Sequence, residues 1–290
     1  MPDSAPMAQI KRHRVVQVLL GQFQIISILL GTFVGVILAL TGAGGAIIAI
    51  PLLVFGLHLG LLQAAPIGLL TVMLAAGMAA LMGLRAGIVR YKAASLLACC
   101  GLLTAPLGIW LAHAVSNLAL TTIFSAVLIY VAITMFIKAQ KAIQYGAAEC
   151  MDSNQPCRVN QQIGKFSWNA PCARAMVLSG IVAGFFSGLL GVGGGFIIVP
   201  ALRKFTNLDM KSIVATSLAA IALVSGAGVL VYAAKGAIEW RLALPFVMGG
   251  LFGMMAGQVV AKNLAGPRIQ QAFSTVAFLI AIGLLIKVLT

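Results

Sequence analysis

ALTGAGGAIIAIP, Ala39–Pro51, and GLLGVGGGFIIVP, Gly188–Pro200, are two versions of one motif. In each, a glycine cluster interrupts an apolar run, an apolar tetrad follows and a proline closes the unit. From position 51 to position 200 the offset is 149, and it holds without a gap across each copy. Gly31 matches Gly180 and Gly35 matches Gly184. Gly42, Gly44 and Gly45 match Gly191, Gly193 and Gly194, and further on Gly87, Gly101 and Gly108 match Gly236, Gly250 and Gly257. Chance apolar similarity does not keep glycines in register over a hundred residues. The chain is a duplication.

The composition around the motif decides the solvent. Of 290 residues 61% are hydrophobic and 8% charged, with a mean hydropathy of +1.09. A soluble domain runs at about 45–50% apolar and roughly 25% charged. The excess extends along the whole chain, which has room for eight to ten spans of about 20 residues. That excludes a secreted protein, a single-pass anchor and a receptor with a large soluble domain. The reading is an all-α polytopic membrane protein whose first partner is the lipid bilayer. Nineteen Lys and Arg stand against five Asp and Glu, a net charge of +14. A nucleic-acid surface would cluster such residues against phosphates. Here they sit in short loops between apolar runs, where they report orientation, so no nucleic-acid partner is expected.

The halves divide alike. The first gives apolar segments near 24–40, 46–57, 64–84, 93–112 and 118–137, and the second near 175–190, 195–203, 213–233, 242–261 and 269–289. This separates an N-terminal segment (1–23), a first transmembrane repeat (24–137), a polar linker (138–174) and a second repeat (175–290). The N-terminal Lys11, Arg12 and Arg14 precede an apolar run without a persuasive cleavage site, so the run is read as a retained first span. Basic residues crowd the loop at 85–92 in the first copy. In the second they move to Arg203, Lys204, Lys211, Lys262 and Arg268, with Lys235 and Arg241 remaining in the loop equivalent to 85–92. Opposite insertion of the two copies leaves such a swap. It requires an odd number of segments, giving five plus five as an inverted repeat with a cytoplasmic linker and both termini outside. The rival is four plus four helices with both termini inside, which suits the N-terminal cluster but puts those five basic residues on the wrong face.

Glycine is costly within a helix and offers close backbone approach in return. The two clusters therefore read as breaks before short helices starting near Ala46 and Gly195. A helix start presents unpaired N–H groups and a partial positive charge, which suits an anion. Discontinuous helices at a repeat interface are where secondary transporters place their substrate. The candidates are Gly42, Gly44 and Gly45, with Thr41 beside them, and Gly191, Gly193, Gly194 and Gly195. The competing reading is close helix packing through small residues, favoured for the scattered Gly31, Gly35, Gly180 and Gly184. Thr216 and Ser217 offer neutral donors, weighed against capping or back-bonding roles. Gln258, inside an apolar run, either faces the pathway or bonds a neighbouring helix.

GLLGVGGGFIIVPAL at Gly188–Leu202, its echo GAGGAIIAIPLL at Gly42–Leu53 and the AxTSL-like Val214–Leu218 together resemble the sulfite exporter TauE/SafE family of membrane transporters. The resemblance covers roughly residues 25–289. It implies movement of sulfite, sulfonates or related sulfur-containing anions across a bacterial inner membrane. The first half departs from the pattern, with Pro66–Ile67–Gly68 where the second half has its Thr–Ser pair, so the polar work is expected of Thr216 and Ser217.

All five acidic residues, Asp3, Glu149, Asp152, Asp209 and Glu239, fall in termini, linker or loops. No carboxylate is placed mid-span, where proton- or cation-coupled carriers keep one. A neutral, donor-rich site suits an anion better than a metal cation. The five cysteines do not read as a disulfide framework: Cys99 and Cys100 lie in an apolar run, and Cys150, Cys157 and Cys172 share a linker without CxxC spacing. No metal, cofactor or catalytic residue is expected, and His58 and His113 fall at segment ends. The expectation is a secondary transporter of small sulfur-containing anions, working by alternating access. Its alternatives are a carrier of another small anion and a non-transporting assembly factor. Direction of transport, ion coupling and homodimer formation are left open.

Overall fold

The computed structural model describes residues 24–42, 44–57, 59–144, 157, 169–264 and 267–289. Outside them lie the N-terminal Asp3, Lys11, Arg12 and Arg14, His58, and most of the linker, including Glu149, Cys150, Asp152, Arg158 and Lys165.

The described residues form ten helices, five in each half, and no strand. They are α1 (Gln24–Thr41), α2 (Gly44–Gly56), α3 (Leu61–Arg85), α4 (Tyr91–Ala114) and α5 (Asn117–Gln144), then α6 (Ala170–Leu190), α7 (Gly195–Phe205), α8 (Met210–Ala234), α9 (Trp240–Leu264) and α10 (Pro267–Leu289). Seven of them are long and apolar enough to cross a membrane. Several overrun the apolar segments. α5 continues through Lys138 and Lys141 to Gln144, and α6 begins at Ala170 with proline in its first turn, where a missing N–H costs nothing. Long basic side chains at helix ends reach back to the interface, so polar residues do not end these helices.

α2 and α7 are the short ones, at 13 and 11 residues. At 1.5 Å per residue they rise about 20 and about 16 Å, against a hydrocarbon core of roughly 30 Å. α2 is apolar all round and accordingly buried, with Ile48, Ala49, Ile50 and Leu53 fully enclosed. α7 buries Phe196, Ile198, Val199 and Leu202 and ends in Arg203 and Lys204, cations that complement the helix C-terminus.

The 149-residue offset recurs in local geometry. Gly87 and Gly236 both adopt positive φ, +68° and +64°, behind α3 and α8. The same pair of bonds closes each end: Gly87 N–H to Leu84 O and Ile88 N–H to Gly83 O, and Gly236 N–H to Ala233 O and Ala237 N–H to Tyr232 O. This is the left-handed glycine cap with its six-to-one bond. Tyr91 and Trp240, equivalent residues at the starts of α4 and α9, stand exposed as interfacial anchors do.

Contacts between the halves are reciprocal. α3 and α8 pack antiparallel: Gly83 lies beside Ala215, Gly77 opposite Ala222, and Gly228 against Leu69. α1 of the first half packs on α9 of the second, where Gly31 and Gly35 abut the backbone of Phe246 and Gly250. Its mirror is α6 on α4, where Gly184 and Gly188 abut the backbone of Gly101 and Ala105. α5 and α10 form a further cross-half pair. The scattered glycines thus serve close packing, allowing backbones to touch. Outward faces carry large exposed apolar side chains, among them Leu103, Trp110, Tyr130 and Leu230, as a lipid-facing surface requires.

One covalent link departs from the sequence reading. Cys157 and Cys172 are joined by a disulfide across a sequence separation of 15. Cys157 also donates its backbone N–H to Phe205 O and pairs with Thr206, so the bond ties the linker to the start of α6 and the end of α7. The spacing carried no signal because the two sulfurs meet only through this tertiary docking. Cys99 and Cys100 are free thiols.

Candidate functional site

Each glycine cluster becomes a turn that folds a short helix back along the one before it. α1 ends at Gly42, whose φ is +73° and whose N–H bonds Leu38 O. α2 then returns with Gly45 packed on Leu38 and Val34. In the second half Gly191 takes the same role, with φ +72° and its N–H on Ser187 O. Gly193 and Gly194 follow at φ +74° and +69°, and Gly194 is the N-cap of α7. Three left-handed residues within four positions are open to glycine and strained for any other residue.

α7 begins with its amides unspent. Gly194 has no side chain to cap them, and the first backbone bonds come from Ile197 and Ile198 to Gly194 O. Among the described residues, no backbone hydrogen bond of good geometry comes from the amides of Gly193, Gly194, Gly195 or Phe196. The unmet donors and the helix dipole point the same way, toward negative charge.

Both turns are closely packed. Gly42 sits against Val214 and Gly191 against Ala65, equivalent residues of α8 and α3. Gly193 lies deeper. A β-carbon there would stand 2.7 Å from Ser225 Oγ, 3.1 Å from Val72 and 3.3 Å from Ile221. These three residues lie near the midpoints of α3 and α8, so α7 starts at mid-depth. α2 and α7 touch one another. Beside their starts runs a shallow, narrow crevice lined by Ile47 of α2, Phe124, Val127, Leu128 and Val131 of α5, and Leu190, Val192 and Phe196 around the second turn. Its lining is entirely apolar.

The polar candidates divide. Thr216 is buried and accepts a hydrogen bond from the Arg90 N–H at 3.0 Å, tying the α3–α4 loop to the start of α8. Ser217 is buried and donates to Val214 O at 2.8 Å. Both lie near Gly42, through Val214, at the opposite end of α8 from the Gly191 turn. Thr41 donates to Ile37 O at 2.7 Å. Gln258 is half-buried on α9, with no side-chain hydrogen bond to any described residue. His113 lies in the last turn of α4, its ring 6.0 Å from that of Tyr232.

The sequence reading missed Ser225 and Tyr232. Both are buried on α8, and neither hydroxyl has a partner among the described residues. An unmet buried hydroxyl costs about 1–3 kcal/mol. A signal was available: at the 149 offset their counterparts are Ala76 and Gly83, so the second half is polar where the first is not. Among the described residues no three His, Cys, Asp or Glu gather in a metal-binding group.

Among the described residues, ten helices in two related halves, seven of them able to span a membrane and two of them short and preceded by glycine turns, define a polytopic membrane protein. The sulfite exporter TauE/SafE profile matches residues 27–284, and the chain belongs to that family. It is 29% identical over 265 residues to a probable membrane transporter protein of Xylella fastidiosa, covering 90% of this chain and 94% of that one. It is 34% identical over 104 residues to the probable membrane transporter protein YunE of Bacillus subtilis, covering 36% and 38%. A probable membrane transporter protein of Methanocaldococcus jannaschii is 29% identical over 115 residues, covering 40% and 43%. No solved structure matches.

Proposed function

We propose that the protein is a secondary carrier of small sulfur-containing anions such as sulfite or organosulfonates, working by alternating access in a bacterial inner membrane. The observation that carries this reading is the start of α7, where four amides without a well-formed backbone hydrogen bond lie at mid-depth beside Ser225. Residues assigned to the substrate path are Thr41, Gly42, Gly44, Gly45, Gly191, Gly193, Gly194, Gly195, Thr216, Ser217 and Gln258. Thr216 suits this role because its hydroxyl accepts from Arg90 while its own proton has no described acceptor. Ser217 has already committed its proton. The packed turns correspond to a closed state, and the glycine faces must part for an anion to reach the amides. No catalytic step is assigned, and no cofactor.

Opposite insertion of the halves is part of the proposal, and the antiparallel packing of α3 and α8 supports it. With each short helix returning from its glycine turn to the face where the helix before it began, 13 of the 19 Lys and Arg fall on the linker's face. The other six, Lys11, Arg12, Arg14, Lys235, Arg241 and Lys287, fall on the face of the termini. The linker is therefore assigned to the cytoplasm. Single cysteines placed at 60, 115 and 238 should react with an impermeant maleimide from outside, and those at 88, 207 and 265 should not. The substrate is tested by flux into liposomes holding the purified full chain. Uptake of labelled sulfite or methanesulfonate is expected, and uptake of neither would overturn the reading. Stable co-purification with a larger membrane complex, without flux, would favour an assembly factor instead.

A further inference from the structure

Hydroxyls on apolar helices ordinarily turn back on their own helix, giving the proton to a carbonyl three or four residues earlier. The described hydroxyls do so with regularity. Thr71 donates to Ile67 O at 2.8 Å, Ser125 to Thr121 O at 2.9 Å and Ser179 to Ala175 O at 2.7 Å. Ser225 and Tyr232 depart from this habit: each is enclosed and each hydroxyl lacks a described partner. Seven residues separate them, two turns of α8, so they share one face of that helix about 10 Å apart. Ser225 Oγ is directed at Gly193, next to the four unspent amides of α7. The ring of Tyr232 lies 6.0 Å from that of His113, towards the far end of α8.

The geometry points to Ser225 as the residue that selects the substrate, holding one oxygen of a polyoxygen anion whose other oxygens meet the α7 amides. Tyr232 is the second polar station, on the route between that site and the face where α8 ends. This assignment rests on the transport reading above and deepens it. A sulfite or sulfonate has oxygens enough to accept from Ser225 Oγ–H and from the amides of Gly194 and Gly195 at once. A halide must take all its donors at one centre, whereas a polyoxygen anion can divide separated donors among its oxygens. The unmet hydroxyl therefore provides discrimination among anions, which a bare helix terminus lacks. Because the equivalent position is Ala76, that discrimination belongs to the second half alone.

The test uses the full chain in liposomes, with labelled sulfite and methanesulfonate as substrates and chloride as competitor. Ser225→Ala is expected to fold, since Ala76 fills the equivalent place in the same helix pairing. It should raise the KM for sulfite about tenfold, the loss of one charge-assisted hydrogen bond, and let chloride compete. Tyr232→Phe should lower turnover severalfold with KM within threefold of wild type. In a second measurement, N-ethylmaleimide should alkylate Ser225→Cys severalfold more slowly when methanesulfonate is present. A KM for Ser225→Ala within twofold of wild type, or alkylation indifferent to methanesulfonate, overturns the assignment while leaving transport standing. A wild-type chain that moves neither anion overturns both.

Discussion

Replacing Gly188 by alanine probes the seam between α6 and α4 most directly. A β-carbon at this position would stand 2.9 Å from the carbonyl carbon of Ala105 and 3.0 Å from the amide nitrogen of Ile109. Both neighbours are backbone, so neither can rotate away. The Ala105 carbonyl oxygen lies nearer still; ordinary contacts between such atoms begin at roughly 3.5 Å, and the helices must part by about an ångström or more. A gap of that size forfeits a quarter or more of each dispersion contact along the seam. Overpacking of this kind costs about 3 kcal/mol at the upper end of its range. Alanine returns about 1 kcal/mol through its better helix propensity, leaving a net loss of about 2 kcal/mol. Gly77→Ala is the matched control, because its nearest neighbour is the Ala222 β-carbon at 3.9 Å. There only the propensity gain applies. Thermal unfolding of the purified protein in detergent should place Gly188→Ala several degrees below wild type and Gly77→Ala at or above it. If Gly188→Ala melts as high as Gly77→Ala, backbone contact is not what holds α6 to α4.

The other expectations are independent of that seam. A cytoplasmic linker would keep Cys157 and Cys172 reduced in growing cells although the structure joins them; both should then be alkylated when cells are lysed in maleimide, and protection of the pair would move the linker outside. Once oxidised, the bond closes a loop of 15 residues, so the purified protein should gain about 3 kcal/mol over its reduced form. Without a carboxylate in the spans to carry a counter-charge, methanesulfonate uptake should follow the membrane potential. An inside-positive potential of about 100 mV is worth about 2.3 kcal/mol, or roughly fiftyfold accumulation; uptake driven by a pH gradient alone would contradict this. Thr216→Val removes the acceptor of the Arg90 N–H and should cost about 1–2 kcal/mol, read as a lower melting temperature.

The helix count was legible because glycines recur in register in each copy, with Pro51 matched by Pro200, and a fixed offset converts two ambiguous readings into one. Helix ends were less legible. Lys138, Lys141 and Arg174 look like linker, yet a long aliphatic stem lets a charged residue extend a membrane helix. The geometry of the candidate site was legible only in part. Positive φ at Gly42 and Gly191 follows from glycine between two helical runs, but Ser225 lies 32 residues beyond Gly193 on another helix, and only packing brings it there. Gly31 and Gly35 were rightly weighed as packing residues, while their partners on α9 could not be named, since periodicity reports a face and not what covers it. The Cys157–Cys172 bond escaped for the same reason.

The reciprocal seams have a consequence for how the molecule is divided. α1 is fastened to α9 and α6 to α4, so neither gene half owns a complete body. A fragment ending at the linker would leave α1 without the backbone surface it needs and α4 with an empty groove. Moving parts drawn along these seams mix one helix from each copy, and the covalent order of the chain says little about which pieces travel together. An interface in which every contact is answered by its equivalent is what two identical chains make about a two-fold axis. The linker then reads as a tether added to a pair of halves that already fitted.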